Sequence, residues 1–389
     1  MPFAAQTAAA LPPDDPVDRL RLIRSRRVGP VTFHRLVADH GSVAAALAAL
    51  PDIARAAGVD GYAPCPVEVA RHELAQARLA GAVMLVPGGP GYPPGLDDLP
   101  DAPPVLWARG HLDLLARPMV AMVGARNASS LGLRMARRLA ATLGEGGQVV
   151  VSGLARGIDA EAHEAALPTG TVAVMPGGVD VVYPEENAGL AARIATQGCV
   201  VSEQPMGLVP QARHFPLRNR VIAGLSRAVV VVEAAARSGS LITAREALDM
   251  GREVLVVPGH PFDARAAGCN MLIRDGATLI RGAADVLQAL AVPQVTSRPN
   301  QDSGADARPP QLPEPPAPPP APPTARAALA AVARLHGLIL DRLGPSPTAE
   351  DQLIRDLARP AAEVLPELVT LELEGKIIRQ AGGFLARGH

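Results

Sequence analysis

Arginines set beside glycine turns dominate the residues able to do chemistry in this chain, and they recur in three loops of similar layout. The first is Val123-Gly124-Ala125-Arg126-Asn127-Ala128-Ser129, leading into a helix from Leu131. The second is Ser152-Gly153-Leu154-Ala155-Arg156-Gly157-Ile158-Asp159, opening a helix that carries His163. The third is Ala236-Arg237-Ser238-Gly239-Ser240-Leu241-Ile242-Thr243. A glycine turn lets a phosphate approach the free N–H groups at a helix N-terminus, and an arginine adds a two-pronged donor. One such turn has an ordinary packing explanation; three, each following a strand, point to an anion site.

The stretch His214-Phe215-Pro216-Leu217-Arg218-Asn219-Arg220 indicates which anion. Around it Arg213, Arg218, Arg220, Arg227, Arg237 and Arg245 face a single acid, Glu233, a local patch concealed by a net charge of −1. That net charge excludes a global field that would draw in a polyanion, so binding must be local. Phe215 lies in a polar run of a chain that is only 2% aromatic, where its ring can stack on a nucleobase while cations hold the backbone. The competing reading makes Phe215 a core anchor, since aromatic rings are mostly buried for their area.

Catalytic arrangements fit less well. Ser152, Asp159 and His163 are the residue types of a nucleophilic triad, but Ser152 does not lie in a G-x-S-x-G elbow, and structural roles suit Asp159 and His163 better. The turn Met175-Pro176-Gly177-Gly178-Val179-Asp180 resembles that of LOG-type nucleotide phosphoribohydrolases, the leading enzymatic alternative. It lacks their G-T pair and catalytic glutamate. Gly124-Ala125-Arg126 departs from the dinucleotide fingerprint G-x-G-x-x-G. No H-E-x-x-H motif occurs, and Cys65, Cys199 and Cys269 form no C-x-x-C pair. The chain is therefore expected to be a non-enzymatic binder without metal or cofactor. Isolated cysteines, together with an N-terminal segment unlike a signal peptide and no long apolar run, suggest a soluble cytoplasmic protein.

These loops need a scaffold, and short Val-rich runs supply it. Met119–Val123, Val149–Ser152, Val172–Met175, Val200–Ser202, Ala228–Val232 and Val254–Val257 read as strands that are apolar throughout, hence buried on both faces. Interleaved helical stretches make this an α/β fold: a Rossmann-like doubly wound, mainly parallel sheet over residues 83–290. Residues 1–16 read as a flexible tail. Residues 17–80 form a small helical N-terminal domain in which Val28-Gly29-Pro30-Val31 and Gly41-Ser42 suggest a helix-hairpin-helix, or simply a packing module. A proline-rich spacer covers 291–324. Residues 325–389 read as a winged-helix-like C-terminal domain, with helices over Ala325–Leu343, Thr348–Leu357 and Ala361–Glu374 and a hairpin after them. Its third helix carries Glu363, Glu367, Glu372 and Glu374 and no Lys or Arg, a poor match for a phosphate-lined groove.

The strings VGARNAS, SGLARGIDAEAH, MPGGVDVVYPEEN, SEQPMG, FPLRNRVIAGLSR, VVEAAARSGSLITA and VPGHPFDARAAGCNMLIRDGA follow one another in this order. The series resembles the successive signatures of the DNA-processing protein A family (DprA, or Smf), and GYPPGLDDLPDAPPVLWARG resembles that family's opening segment. The resemblance covers Tyr92 to Leu290 and is looser in the flanking domains. It implies a homodimer that binds and protects single-stranded DNA taken up in natural transformation and loads RecA onto it. Carried across, the site comprises Gly124, Ala125, Arg126 and Ser129; Gly153, Arg156, Gly157 and His163; Arg213, Phe215, Arg218, Asn219 and Arg220; and Ser238, Gly239, Ser240, Thr243 and Asn270. Relatives often place a basic residue three positions before Phe215, where this chain has Ala212, so Arg213 or His214 is expected to substitute.

Overall fold

The computed structural model describes residues 14–291 and, beyond them, 335–336, 338–340, 343, 348–357, 359–373, 376–380 and 384–387. The proline-rich spacer, nearly all of the N-terminal tail and most of the first tail helix lie outside the described residues. The chain divides into two compact units at about Ser297.

Four helices open the first unit: α1 (Pro16–Arg24), α2 (Pro30–His40), α3 (Val43–Ala56) and α4 (Val67–Leu79). Their ends follow from local chemistry. Asp15 accepts the Val17 N–H at the start of α1, and Pro30 opens α2 where no N–H is needed. Gly41 closes α2 in the left-handed region at φ 79°, and the Ser42 hydroxyl caps α3 through the Ala45 N–H. The helices are not an independent bead. Leu20, Ala70 and Ala77 pack with Trp107, Ala173 and Val200 of the sheet. Buried Glu73 accepts from both Arg24 (2.8 Å) and the Trp107 indole N–H (2.9 Å), pinning α1 and α4 to it.

The sheet has nine strands: β1 (Val83–Leu85), β2 (Leu106–Gly110), β3 (Met119–Val123), β4 (Val149–Ser152), β5 (Thr171–Val174), β6 (Cys199–Ser202), β7 (Ala228–Val231), β8 (Glu253–Val256) and β9 (Thr278–Leu279). The helices between them are α5 (Pro94–Asp97), α6 (Ser130–Glu145), α7 (Ile158–Ala166), α8 (Ala188–Gln197), α9 (His214–Leu225), α10 (Ser240–Asp249) and α11 (Ala267–Arg274), with α12 (Ala283–Ala291) last. Strand order is β1-β2-β6-β5-β4-β3-β7-β8-β9. All pairings from β6 to β9 are parallel, whereas β2 runs antiparallel to both β1 and β6.

Side chains of a strand alternate between faces, so both faces of this sheet must be apolar. Ala121, Val123, Val151, Val229 and Val231 meet α9 and α10 on one side. Val120, Met122, Val150 and Val230 meet α6, α7 and α12 on the other. Each such valine contributes about 1.5–3 kcal/mol by leaving water. All six strands expected from sequence are present, within a residue of the expected ends. Strands β1, β2 and β9 are additional; short and partly exposed, they carry no long apolar run.

The second unit contains β10 (Thr348–Ala349), α13 (Glu350–Leu357), α14 (Ala361–Leu373), β11 (Ile377–Gln380) and β12 (Phe384–Arg387). The antiparallel order β10-β12-β11, with Leu353, Val364, Leu368, Leu371, Ile377 and Leu385 beneath, is a winged-helix arrangement. The helix expected from Thr348 begins at Glu350, because Thr348 and Ala349 pair with β12 instead.

Candidate nucleic-acid interface

Strand β3 is where the sheet order reverses, with β4 on one side and β7 on the other. The chain leaves β3 for α6 on one face and β7 for α10 on the opposite face, which opens a crevice at the carboxyl ends of the strands. A cleft of about 640 Å³ lies there. Its lining joins Gly124, Ala125 and Arg126 after β3 to Ser238, Gly239, Ser240 and Thr243 at α10, with Phe215, Arg218 and Asn219 from α9 between them. These ten expected residues are brought together by the fold although they span 120 positions of sequence.

Two of the three glycine turns do not leave a helix N-terminus open. The Glu233 carboxylate occupies that of α6, accepting the Ser129 N–H at 3.0 Å and the Ser129 hydroxyl at 2.5 Å. In the turn before α7 the Asp159 carboxylate accepts the N–H groups of Gly153 (3.2 Å) and Ala155 (3.4 Å), and the first helical N–H, of Ile158, donates to the Ala125 carbonyl (3.2 Å). At α10 the Ser240 N–H meets the Ser238 hydroxyl (3.3 Å), and the Leu241 and Ile242 N–H groups donate to the Ser238 and Gly239 carbonyls. Carboxylates therefore fill the role expected of a bound phosphate at two turns, while the turn before α10 is closed by its own hydroxyls and carbonyls and lines the cleft.

The glycines, too, serve packing. A side chain at Gly124 would lie 2.6 Å from Ile158, and one at Gly157, where φ is +71°, 2.3 Å from the Ala125 carbonyl oxygen. At Gly153 an added Cβ would fall 1.9 Å from the Arg218 guanidinium. Arg218 is 6% exposed and donates to the carbonyls of Gly153 and Val174 and to Asn219 Oδ1, yet still borders the cleft. Burial pushes its pKa down to about 10 against the pull of Asp159. Burial likewise raises the Asp159 carboxyl, and Arg218 opposes that rise.

Phe215 is half-buried on the cleft and belongs to none of the hydrophobic clusters of the core. Tyr183 meets its ring edge-to-face at 5.5 Å, and the Arg126 guanidinium lies 5.6 Å from the ring centroid. The ring is thus held by a cation and a second aromatic rather than by aliphatic packing. Two exposed arginines also line the cleft, Arg237 and Arg265. Arg237 was visible in the basic run. Arg265 was not among the expected residues, because it follows β8 and only strand order puts it beside β7.

Eight expected residues fall outside the cleft. Ser129 is the α6 cap, while Gly153 and Gly157 support Arg218 and the first loop as described. Arg156 pairs with Glu186 at 3.0 Å on the outer surface. Arg213, at the start of α9, is exposed and its Nε donates to His214 Nε2 (3.2 Å). Arg220 is buried between Asp101 and Glu203. The Asn270 amide clamps Gly259 through both its N–H and its carbonyl. His163 is fully buried behind the site. Thr171 donates its hydroxyl to the Val150 carbonyl, so His163 Nδ1 donates to Thr171 (2.7 Å) and Nε2 accepts the Leu154 N–H (3.3 Å). Burial pushes its pKa down to about 3, fixing a neutral imidazole. With the Ser152 hydroxyl donated to the Met122 carbonyl, Ser152 and His163 form no proton relay. Among the described residues no group of acids, histidines and cysteines is placed to hold a metal, and no single helix is long and apolar enough to cross a membrane.

A doubly wound sheet with a switch-point crevice lined by arginines and one aromatic ring defines a Rossmann-type protein. The chain belongs to the family of DNA recombination-mediator protein A, whose model matches residues 83–291. The DprA-like N-terminal HHH domain matches residues 13–76 and the DprA winged helix domain residues 313–383. DNA processing protein DprA of Streptococcus pneumoniae is 46% identical over 198 residues, 50% of this chain and 70% of that protein. Protein Smf of Escherichia coli is 37% identical over 297 residues, 76% of this chain and 74% of that one. Among solved structures, DNA processing protein A from S. pneumoniae matches with TM-score 0.60 at 36% identity, over 71% of this chain and 98% of that one. The Helicobacter pylori protein, described for its single-stranded DNA binding mode, matches with TM-score 0.50 at 31% identity, over 54% and 95%.

Proposed function

We propose that the chain binds single-stranded DNA in this cleft without doing chemistry on it, and that it delivers the strand to RecA during natural transformation or recombination. The observation that carries the reading is the charge and shape of the lining. Arg126, Arg218, Arg237 and Arg265 line the cleft beside one carboxylate, Asp159, with Phe215 among them and Arg265 also paired with Asp263 at 2.9 Å. Phosphates are met by guanidinium groups and a base by the ring, the pairing that single strands need. The binding mode named for the H. pylori relative supports the same ligand. The RecA partner, a homodimeric state and a cytoplasmic setting rest on the family. The acidic third helix of the tail, with Glu363 and Glu367, argues against duplex reading by the winged helix.

The test is fluorescence anisotropy with labelled oligo-dT and a duplex of equal length. Clear preference for the single strand is expected, with log affinity falling against log salt at about 0.7 per phosphate contacted. Equal affinity for the duplex refutes the reading. Release of base from nucleoside monophosphates by the same preparation would instead favour a phosphoribohydrolase.

A further inference from the structure

Phe262 is one of five phenylalanines in the chain and is 94% exposed. A single exposed ring is common on protein surfaces, so what matters here is where the ring is held and what lies beside it. Its loop is held in shape. The Asn270 amide grips Gly259 on both sides, the Asp263 N–H donates to the His260 carbonyl at 2.9 Å, and Asp263 Oδ1 accepts the Arg265 N–H at 3.0 Å. His260 lies 5.6 Å from the Phe262 ring, tilted by 41°, and leaves it open to solvent.

The place of this loop is what gives the ring a partner. Three neighbouring strands, β3-β7-β8, each end in a loop whose exposed arginine lines the cleft: Arg126, Arg237 and Arg265, the last also paired with Asp263 at 2.9 Å. Strands lie ~4.8 Å apart, so the row spans about 10 Å across the sheet edge. At a rise of about 3.4 Å per nucleotide, that length accommodates roughly three nucleotides of a stacked strand. Arg265 lines the cleft, and Phe262 stands three residues before it on the same loop. We infer that the bound strand runs across these loops in order and leaves the cleft over β8, where Phe262 stacks on a base beyond the one held at Phe215. The inference rests on the single-strand reading above and extends it to a second base-stacking position.

The chain has one tryptophan, Trp107, which is 1% exposed, so Phe262→Trp adds the only solvent-facing indole. Titration with oligo-dT long enough to pass the cleft should quench this added emission along the same isotherm that anisotropy reports. Phe262→Ala should weaken such oligonucleotides by about five- to a hundred-fold while leaving the shortest binding oligo-dT unaffected, and Phe262→Trp should restore the affinity. Normal binding of long oligo-dT by Phe262→Ala, with unquenched Phe262→Trp emission, overturns the second position and leaves the cleft reading intact. Failure of the unsubstituted chain to bind any oligo-dT overturns both.

Discussion

Gly153→Ala should displace the cleft's most buried cation, Arg218, without substituting any residue that lines the cleft. Gly153 is not in the left-handed region, so alanine imposes no backbone strain there, and the whole effect comes from the added methyl group. That carbon would stand 1.9 Å from Arg218 Nη1 and 2.3 Å from Cζ. Ordinary contact is about 3.5 Å, so the guanidinium must retreat by about 1.5 Å. The retreat breaks its hydrogen bonds to the Gly153 and Val174 carbonyls. Charged hydrogen bonds are worth about 1.5–3 kcal/mol each, so folding stability should fall by about 3 kcal/mol or more. Binding of oligo-dT should weaken as well, because Arg218 no longer borders the cleft in its present pose. The decisive assay is a double-mutant cycle by denaturant unfolding with Arg218→Met, which removes the crowded end of the side chain. On that background Gly153→Ala should cost less than about 0.5 kcal/mol. Additive losses from the two substitutions would show that the methyl clashes with something other than Arg218, and that the cradle described here is wrong.

Phe215→Ala should cost about 1–3 kcal/mol of oligo-dT binding and leave the salt slope unchanged, since a ring contributes contact that ions hardly screen. A large loss of folding stability with unaltered binding by the folded fraction would place Phe215 in the core instead. Arg220→Met should do the reverse of a cleft mutation. It leaves Asp101 and half-buried Glu203 without their cation, lowering stability by about 3–5 kcal/mol, while anisotropy on the folded protein stays unchanged. His163 predicts the pH response: its folded pKa of about 3 lies below the free value of 6.5, so the unfolded chain takes up the proton first. Stability from this residue is complete above about pH 6.5 and is lost as pH falls towards 3, a dependence that melting curves of wild type and His163→Gln should separate. Parallel curves for the two proteins would contradict a buried neutral imidazole.

Much of the scaffold was legible in the chain itself. Strands β3 to β8 are runs of Val and Ala bounded by glycine, and burial on both faces leaves no other use for such runs. The three loops and Phe215 were legible because short polar insertions after apolar strands have few structural reasons to carry arginine or an aromatic ring. What composition could not assign was the direction in which each side chain points. Arg218 and Arg220 are two residues apart on α9, and at 3.6 residues per turn they face nearly opposite ways. One enters the cleft, and the other is consumed by Asp101 and Glu203. Carboxylates remote in sequence made the same kind of decision elsewhere, with Glu233 closing α6 at Ser129 and Glu186 paired with Arg156 outside the cleft. Arg265 entered the cleft for the converse reason: laying β8 beside β7 brings its loop to the crevice, and strand order is a property of the folded sheet that no local run of residues encodes. The sequence by itself thus determined a doubly wound sheet with arginine-bearing loops at one edge. Only the tertiary structure decided which arginines remain free to meet an anion, because ion pairing depends on distances between segments that the linear order does not contain.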